Sequence, residues 1–345
     1  MNIAIVNDVS MITHLLSEVI INNSHHKVIW TAENGEQAIT LAKEQTPDMI
    51  IMDLIMPGID GVETTREIMK NSPCAILIVT ADMTYNADMV FTAMSHGAID
   101  AISTPALGAV NNKEDLKEFL YKLTVIDQLL KDSHKKIVTS PPINDISSDE
   151  YNYPMVCIGA STGGPGALAS ILSKIPEDFQ GSIVIIQHVD EKFTAGLADW
   201  LNSQCKLDVC VAESGEPPQP GKVYLAGGDQ HLQLSGKLHF QYTSEPKDYA
   251  YRPSVDIFFT NAAHAWKGHK IGILLTGMGN DGANGLLSLK QSHADTIAQD
   301  EQSCAVFGMP RAAIQLDAAN YIESLENIPS RLLKLVSRAN REILQ

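Results

Sequence analysis

Short, continuous apolar runs alternate with helical patterns along most of this chain, and this alternation points to the α/β class of folds. The first 131 residues contain five such runs, at residues 3–6, 28–32, 49–53, 75–80 and, more weakly, 100–103. Runs without polar alternation are typical of strands that are buried on both faces of a parallel sheet. We therefore predict five βα units in this part of the chain.

A segment without sustained periodicity separates these units from the rest. Residues 132–153 contain paired prolines, serines and acidic residues, a composition typical of a linker. The alternation then resumes, with a hairpin signal at Ser235 and Gly236 and six further apolar runs, at residues 155–160, 182–189, 207–211, 222–226, 270–275 and 295–299. The pattern predicts two doubly wound parallel-sheet domains, residues 1–131 and 154–345, joined by this linker.

Composition excludes several classes of function. A length of 345 residues with 44% hydrophobic content favours two cores. The net charge of −16 disfavours a nucleic-acid partner, because phosphate neutralisation needs a basic surface. No apolar run approaches the roughly 18 residues of a membrane span, and no basic segment precedes the first strand. Five cysteines without a CxxC pair fit reduced core residues. We expect a cytoplasmic protein without direct membrane insertion.

Polar side chains follow three of the predicted strands in the first domain. Asp8 comes after the first strand, and Asp53 and Thr80 end the third and fourth. The carboxyl ends of parallel strands share one edge of a sheet, so these groups should converge. Two carboxylates there can hold Mg²⁺, and one of them can accept a phosphoryl group. Taken singly, Asp8 reads as a helix cap and Asp53 as a turn residue.

The second domain carries a glycine-rich turn with a serine at its centre. Residues 159–163, Gly-Ala-Ser-Thr-Gly, fit G-x-S-x-G, a turn that exposes a nucleophilic Ser161 before a helix. His188 and Asp281 follow two other apolar runs, so a base and an orienting acid are available at the same sheet edge. His231, in a further turn, competes as the base. A phosphate loop is disfavoured, because the turn lacks both G-x-G-x-x-G spacing and a G-K-[ST] lysine.

The first domain resembles the response-regulator receiver family. The resemblance rests on MDLIMPGIDG at residues 52–61, on the pair Thr80-Ala81 and on Pro105. It implies a flavodoxin-like fold in which Asp53 is the phosphoacceptor, Asp8 and Asp53 bind Mg²⁺, and Thr80 is the hydroxyl that senses the phosphoryl group.

Two positions depart from the receiver pattern. Asn7 stands where the family usually has a first acidic residue, and Thr104 stands where it has a lysine before the last proline. The first change removes a negative charge from the metal site, and the second removes the cation that pairs with the phosphoryl group. A charge-assisted hydrogen bond contributes about 1.5–3 kcal/mol. We therefore expect that Asp53 can be phosphorylated, but that its phosphorylation is only weakly coupled to the activity of the second domain.

The second domain resembles the protein-glutamate methylesterase and glutamine deamidase family of bacterial chemosensory pathways. Four segments carry this resemblance: IGASTGGPGAL (158–168), VIIQHV (184–189), YRPSVDIFF (251–259) and LLTGMGNDGA (274–283). It implies a Rossmann-like catalytic domain.

By the same resemblance, Ser161 is the nucleophile, His188 the general base, Asp281 the orienting acid, and the Met278 amide an oxyanion donor with Thr162 nearby. The substrates would be γ-glutamyl methyl esters, hydrolysed to glutamate and methanol without a cofactor. Some members also deamidate glutamine.

The same resemblance implies the partners, namely the cytoplasmic helices of methyl-accepting chemoreceptors and a chemosensory histidine kinase. Asn7 and the stretch STPALG from Ser103 are most similar to the surface-sensing, Wsp-type branch of the family. An alternative is a non-enzymatic, receiver-based adaptor in a chemosensory array, for which Asn7 and Thr104 are the supporting features.

Overall fold

A computed structural model describes residues 1–81, 85–105, 113–131, 153–189, 191–246 and 252–343. The chain divides into two compact units, Met1–Lys135 and Lys136–Gln345. The predicted linker, residues 132–153, lies outside the described residues except for Tyr153.

The first unit is a parallel sheet of five strands in the order β2-β1-β3-β4-β5. Its strands are β1 (Asn2–Val6), β2 (Lys27–Ala32), β3 (Met49–Asp53), β4 (Ala75–Thr80) and β5 (Asp100–Ser103). Its helices are α1 (Ser10–Asn23), α2 (Gly35–Glu44), α3 (Gly61–Asn71), α4 (Ala87–Ser95) and α5 (Lys113–Lys131). The order reverses between β1 and β3, so Asp8 and Asp53 follow adjacent strands.

The strands of the first unit are buried as continuous apolar runs require. Ile3, Ile51 and Leu77 from three neighbouring strands pack with Phe119 and Leu123 of α5 in one core cluster. Burial of each such side chain contributes about 1.5–3 kcal/mol.

The second unit is built on a parallel sheet of seven strands in the order β14-β13-β12-β6-β7-β9-β8, with a separate antiparallel pair, β10 and β11. Its strands are β6 (Met155–Ala160), β7 (Ser182–Gln187), β8 (Asp208–Val211), β9 (Lys222–Leu225), β10 (His231–Leu234), β11 (Phe240–Thr243), β12 (Lys270–Leu274), β13 (Asp295–Gln299) and β14 (Tyr321–Glu323). Its helices are α6 (Gly164–Leu172), α7 (Glu191–Gln204), α8 (Val255–Ala265), α9 (Ala283–Gln291), α10 (Met309–Gln315) and α11 (Ile328–Ile343).

The prediction of two parallel α/β domains is confirmed. The three strands that precede Ser161, His188 and Asp281, namely β6, β7 and β12, lie side by side at the centre of the second sheet. The hairpin signal at Ser235 and Gly236 falls between β10 and β11. In the described part of the chain, no helix combines the length and apolar character needed to cross a membrane.

Candidate active site

Ser161 lies at the end of β6, in the turn that leads into α6. Gly163 caps this helix with a φ of +75°, a left-handed conformation that side chains other than glycine rarely adopt. A Cβ at this position would also lie 2.6 Å from the Cβ of Ala305. The turn therefore requires glycine here, and it sets Ser161, which is 8% exposed, beside the positive end of a helix dipole.

His188 is fixed next to this turn through its backbone. Its amide donates to the carbonyl of Ala160 (3.1 Å), the residue before Ser161. The side-chain amide of Gln187 donates to the carbonyls of both Ser161 (2.9 Å) and His188 (3.0 Å). The structure therefore brings the predicted nucleophile and the predicted base together at adjacent strand ends.

Asp281 reaches the same edge from the loop between β12 and α9, and four donors surround its carboxylate. Oδ2 accepts from His188 Nε2 and from the Val255 amide, each at 2.8 Å. Oδ1 accepts from Ser254 Oγ (2.8 Å) and from the Asp256 amide (3.0 Å). Burial alone would raise the pKa of Asp281, but these hydrogen bonds and the neighbouring His188 hold that pKa below its ordinary value. The carboxylate is therefore kept ionised.

The loop before Asp281 also packs directly against Ser161. The Ser161 amide donates to the carbonyl of Thr276 (3.1 Å), and a Cβ on Gly277 would lie 2.8 Å from the Cβ of Ser161. Thr276 Oγ1 in turn donates to the carbonyl of Thr162 (2.9 Å). Met278 follows Gly277, and its amide has no hydrogen-bond acceptor within the described residues. Both predicted oxyanion residues therefore lie beside Ser161.

His231, the competing candidate for the base, is occupied elsewhere. It is the first residue of β10 and is completely buried. Its Nδ1 accepts from the Ser254 amide (3.2 Å), and its Nε2 contacts the carbonyl of Pro246 (3.1 Å). The structure thus favours His188 as the base, because His188 Nε2 forms a hydrogen bond with the Asp281 carboxylate.

Sequence reasoning assigned no role to Ser254 or Asp256, although both lie in the YRPSVDIFF segment. They form the first turn of α8 and hold Asp281 in place. Asp256 is itself buried, and burial, followed by the charge of Asp281, raises its pKa to about 6. The Gly285 amide donates to Asp256 Oδ1 (2.7 Å) and partly offsets this rise. Two buried carboxyl groups therefore share the site.

In the first unit, Asp53 ends β3 and lies beside both residues that follow β1. Asn7 Nδ2 donates to Asp53 Oδ2 (2.8 Å), so an amide donor takes the place of an acidic neighbour. Burial raises the pKa of Asp53 to about 6, with a smaller contribution from the charge of Asp8. Among the described residues, no three His, Cys, Asp or Glu side chains form a metal-binding cluster. The two carboxylates of Asp8 and Asp53 are still a donor set that suits Mg²⁺, which commonly binds one or two carboxylates together with waters and phosphoryl oxygens.

Thr80 is buried at the end of β4, where its hydroxyl already has a partner. Asn86 Nδ2 donates to Thr80 Oγ1 (2.9 Å), and the Thr104 amide donates to the Thr80 carbonyl (2.8 Å). Sequence reasoning missed Asn86, because nothing in its local pattern signals a contact to the Thr80 hydroxyl.

Comparison with known proteins agrees with the division of the chain into two domains. Residues 156–332 match the family model described as CheB methylesterase, and residues 3–116 match the one described as response regulator receiver domain. The crystal structure of the CheB methylesterase catalytic domain of Thermotoga maritima is similar to the second unit, with 41% identity and a TM-score of 0.51 over 53% of this chain and 98% of that chain.

Other similar proteins match this chain over nearly its whole length. Protein-glutamate methylesterase/protein-glutamine glutaminase 3 of Pseudomonas aeruginosa is 45% identical over 97% of this chain and 99% of that protein. The enzyme of the group 3 operon of Pseudomonas putida, with the same activity name, is 46% identical over 98% of this chain and all of that protein. On these grounds, the chain belongs to the CheB methylesterase family and carries a response regulator receiver domain in its N-terminal part.

Proposed function

We propose that Ser161, His188 and Asp281 form the catalytic triad of an esterase that hydrolyses γ-glutamyl methyl esters on methyl-accepting chemoreceptors. The hydrogen bond from His188 Nε2 to the buried Asp281 carboxylate, beside the Ser161 turn, is the observation that carries this assignment. The chain is a protein-glutamate methylesterase/protein-glutamine glutaminase regulated by a receiver domain.

The contact with Asp281 supports an assignment of the ring nitrogen of His188 that would act in the reaction. An ionised Asp281 can only accept, so His188 Nε2 carries a proton and Nδ1 is the nitrogen that takes the proton of Ser161. Ser161 Oγ then bonds to the ester carbonyl carbon, and the charge moves to the carbonyl oxygen. The amides of Met278 and Thr162 stabilise that oxyanion.

Collapse of this intermediate breaks the bond between the carbonyl carbon and the methoxy oxygen, and His188 returns the proton to the departing methanol. Water attacks the acyl group on Ser161 with His188 again as the base, which releases glutamate and restores the enzyme. With a glutamine side chain, the same steps release ammonia. The residues that perform these steps need no metal or organic cofactor.

We further propose that Asp53 is phosphorylated by a chemosensory histidine kinase. Asp8 and Asp53 would hold the Mg²⁺, which supplies positive charge during phosphoryl transfer. Thr80 would sense the phosphoryl group. Because Thr104 stands where the receiver family has a lysine, phosphorylation of Asp53 would be only weakly coupled to the esterase activity. The functional boundaries would be residues 1–131, 132–153 and 154–345.

The substrate helices would belong to the cytoplasmic part of the receptor, so the protein acts in the cytoplasm, without nucleic acid and without entering the membrane. Membership of the surface-sensing, Wsp-type branch stays a prediction from Asn7 and the segment after Ser103.

The test is methanol release from a methylated receptor by wild type and by Ser161→Ala. Loss of the nucleophile should lower kcat by at least about ten-thousandfold, as expected when a triad serine is removed. Ser173→Ala is the matched control, because Ser173 is an exposed serine at the other end of α6 and should release methanol at the wild-type rate.

Methanol release by Ser161→Ala at the wild-type rate would overturn the triad. A wild-type protein that folds but releases neither methanol nor ammonia would favour the adaptor alternative.

A further inference from the structure

His231 lies in a contact network that determines its protonation state. It is completely buried at the start of β10. A backbone N–H can only donate, so Nδ1, which accepts from the Ser254 amide, carries no proton. A carbonyl oxygen can only accept, so Nε2, which contacts the Pro246 carbonyl, is protonated. Both contacts together require the neutral Nε2-H tautomer.

Ser254 connects this histidine to the catalytic acid. Its amide donates to His231, while its Oγ donates to Asp281 Oδ1 (2.8 Å) and accepts from the Ile257 amide as the N-cap of α8. The amides of Val255 and Asp256, the next two residues, supply two further donors to Asp281. Three of the four donors to Asp281 therefore come from a turn whose first residue is held by His231.

The rest of α8 is attached to β10 independently. Asn261 Oδ1 accepts from the Leu234 amide (2.7 Å), and Asn261 Nδ2 donates to the Leu234 carbonyl (3.2 Å). Because Asn261 anchors α8 beyond its first turn, loss of the His231 contact should release the first turn without detaching the helix.

We propose that His231 is a positioning residue for the triad, and that its neutral Nε2-H form holds the Ser254 to Asp256 turn in the geometry that orients Asp281 toward His188. This inference rests on the catalytic roles proposed above for Ser161, His188 and Asp281. His231 is assigned no chemical step in the reaction, because the role proposed for it acts through the Ser254 amide.

The surroundings of His231 favour its neutral form. Burial lowers the pKa of His231, and the nearby Arg252 lowers it further, whereas the contact with the Pro246 carbonyl and the charge of Asp281 act in the opposite direction. Protonation of Nδ1 would bring an N–H against the Ser254 N–H and would break the contact that holds the turn.

Two substitutions distinguish the contact made by His231 Nδ1 from the contact made by Nε2. His231→Asn places an amide oxygen near the position of Nδ1 and so keeps an acceptor for the Ser254 amide. His231→Gln places its amide near Nε2, so it keeps a donor to Pro246 but loses the acceptor. His264→Gln makes the same change at an exposed histidine in the last turn of α8 and is the matched control.

The measurement is methanol release from methylated receptor by the full-length protein, with thermal melting to verify folding. We expect His231→Gln to lower kcat about tenfold to a hundredfold with little change in KM, because small displacements of catalytic groups have effects of this size. His231→Asn should stay close to wild type in both kcat and KM.

Wild-type kcat in His231→Gln would overturn the proposal, as would equal losses of kcat in His231→Gln and His231→Asn. Ser161→Ala is measured in parallel, since activity in that variant would refute the triad itself and not the role of His231. If the variants fail to fold, nitrogen NMR of histidine-labelled wild type decides: a protonated Nε2 at His231 supports the proposal, and a protonated Nδ1 overturns it.

Discussion

Asp281 accepts a 2.8 Å hydrogen bond from His188 Nε2 while both side chains are nearly withdrawn from solvent, at 8% and 7% exposure. In such surroundings the attraction between a carboxylate and an imidazolium is screened little by water or salt. In the proposed mechanism His188 gains a proton from Ser161, and Asp281 would stabilise the charge that forms.

Asp281→Asn should lower kcat by about a hundredfold to ten-thousandfold, in line with the loss of the acid from other triads. Whichever way the Asn amide is turned, its NH₂ group faces a backbone N–H of Val255 or Asp256. The free energy of unfolding should therefore also fall, by about 1–3 kcal/mol. Methanol release and chemical denaturation measure the two effects.

The control for this change is Asp317→Asn, because the side chain of Asp317 is 92% exposed and its backbone is in the left-handed region that asparagine tolerates. It should retain wild-type activity and stability. Wild-type kcat in Asp281→Asn would show that the carboxylate is not needed to orient His188.

Asp256→Asn should make the protein more stable than wild type above pH 6. Burial and the charge of Asp281 raise the pKa of Asp256 to about 6. The folded state then binds a proton more tightly than the unfolded state, so this residue's contribution to stability is present at pH below about 4 and is lost as pH rises through 6. An asparagine removes the buried charge and can still accept from the Gly285 amide.

Denaturation of wild type and Asp256→Asn from pH 4 to pH 8 measures this effect. The two proteins should converge at the acid end, and the variant should be about 1–3 kcal/mol more stable at the alkaline end, the range that a shift of one to two pKa units implies. A constant difference between them at every pH would contradict the assignment of the titrating group to Asp256.

Thr104→Lys should strengthen the response to phosphorylation, because it restores a cation next to the strand that carries Thr80. The Thr104 amide donates to the Thr80 carbonyl, so the new lysine side chain would lie at the edge of the sheet where β4 ends with Thr80. A charge-assisted hydrogen bond to the phosphoryl group should raise the stimulation of methanol release by acetyl phosphate about tenfold.

Thr40→Lys, at an exposed position of α2, adds the same charge away from this edge and should leave the stimulation unchanged. Asp53→Ala in the Thr104→Lys background should abolish the stimulation. Stimulation that survives in this double variant would mean that the phosphodonor acts elsewhere.

The sequence was sufficient to predict the two parallel sheets and the strand ends that carry the site, because buried parallel strands are continuous apolar runs. The sequence did not predict β14, because the three residues of this strand are partly or fully exposed and form no continuous apolar run. It also left open whether His188 or His231 is the base, since both follow or begin strands and only tertiary contacts distinguish them.

The residues that sequence reasoning missed share a physical property. Ser254, Asp256 and Asn86 act through contacts with side chains brought near by folding, over separations of 27, 25 and 6 residues. Ser254 is the N-cap of α8, and the sequence around it is typical of a helix cap. Nothing in that local sequence indicates its hydrogen bond to Asp281.

The central claim is that Ser161 and His188 act as one unit, and a double-mutant cycle tests it most directly. Methanol release is measured for Ser161→Ala, His188→Gln and the double variant under the same conditions. If both residues serve the same step, the double variant should be no slower than the slower single variant, as the non-additivity of a catalytic unit requires. Losses that multiply in the double variant would show that the two residues act independently and would contradict the triad.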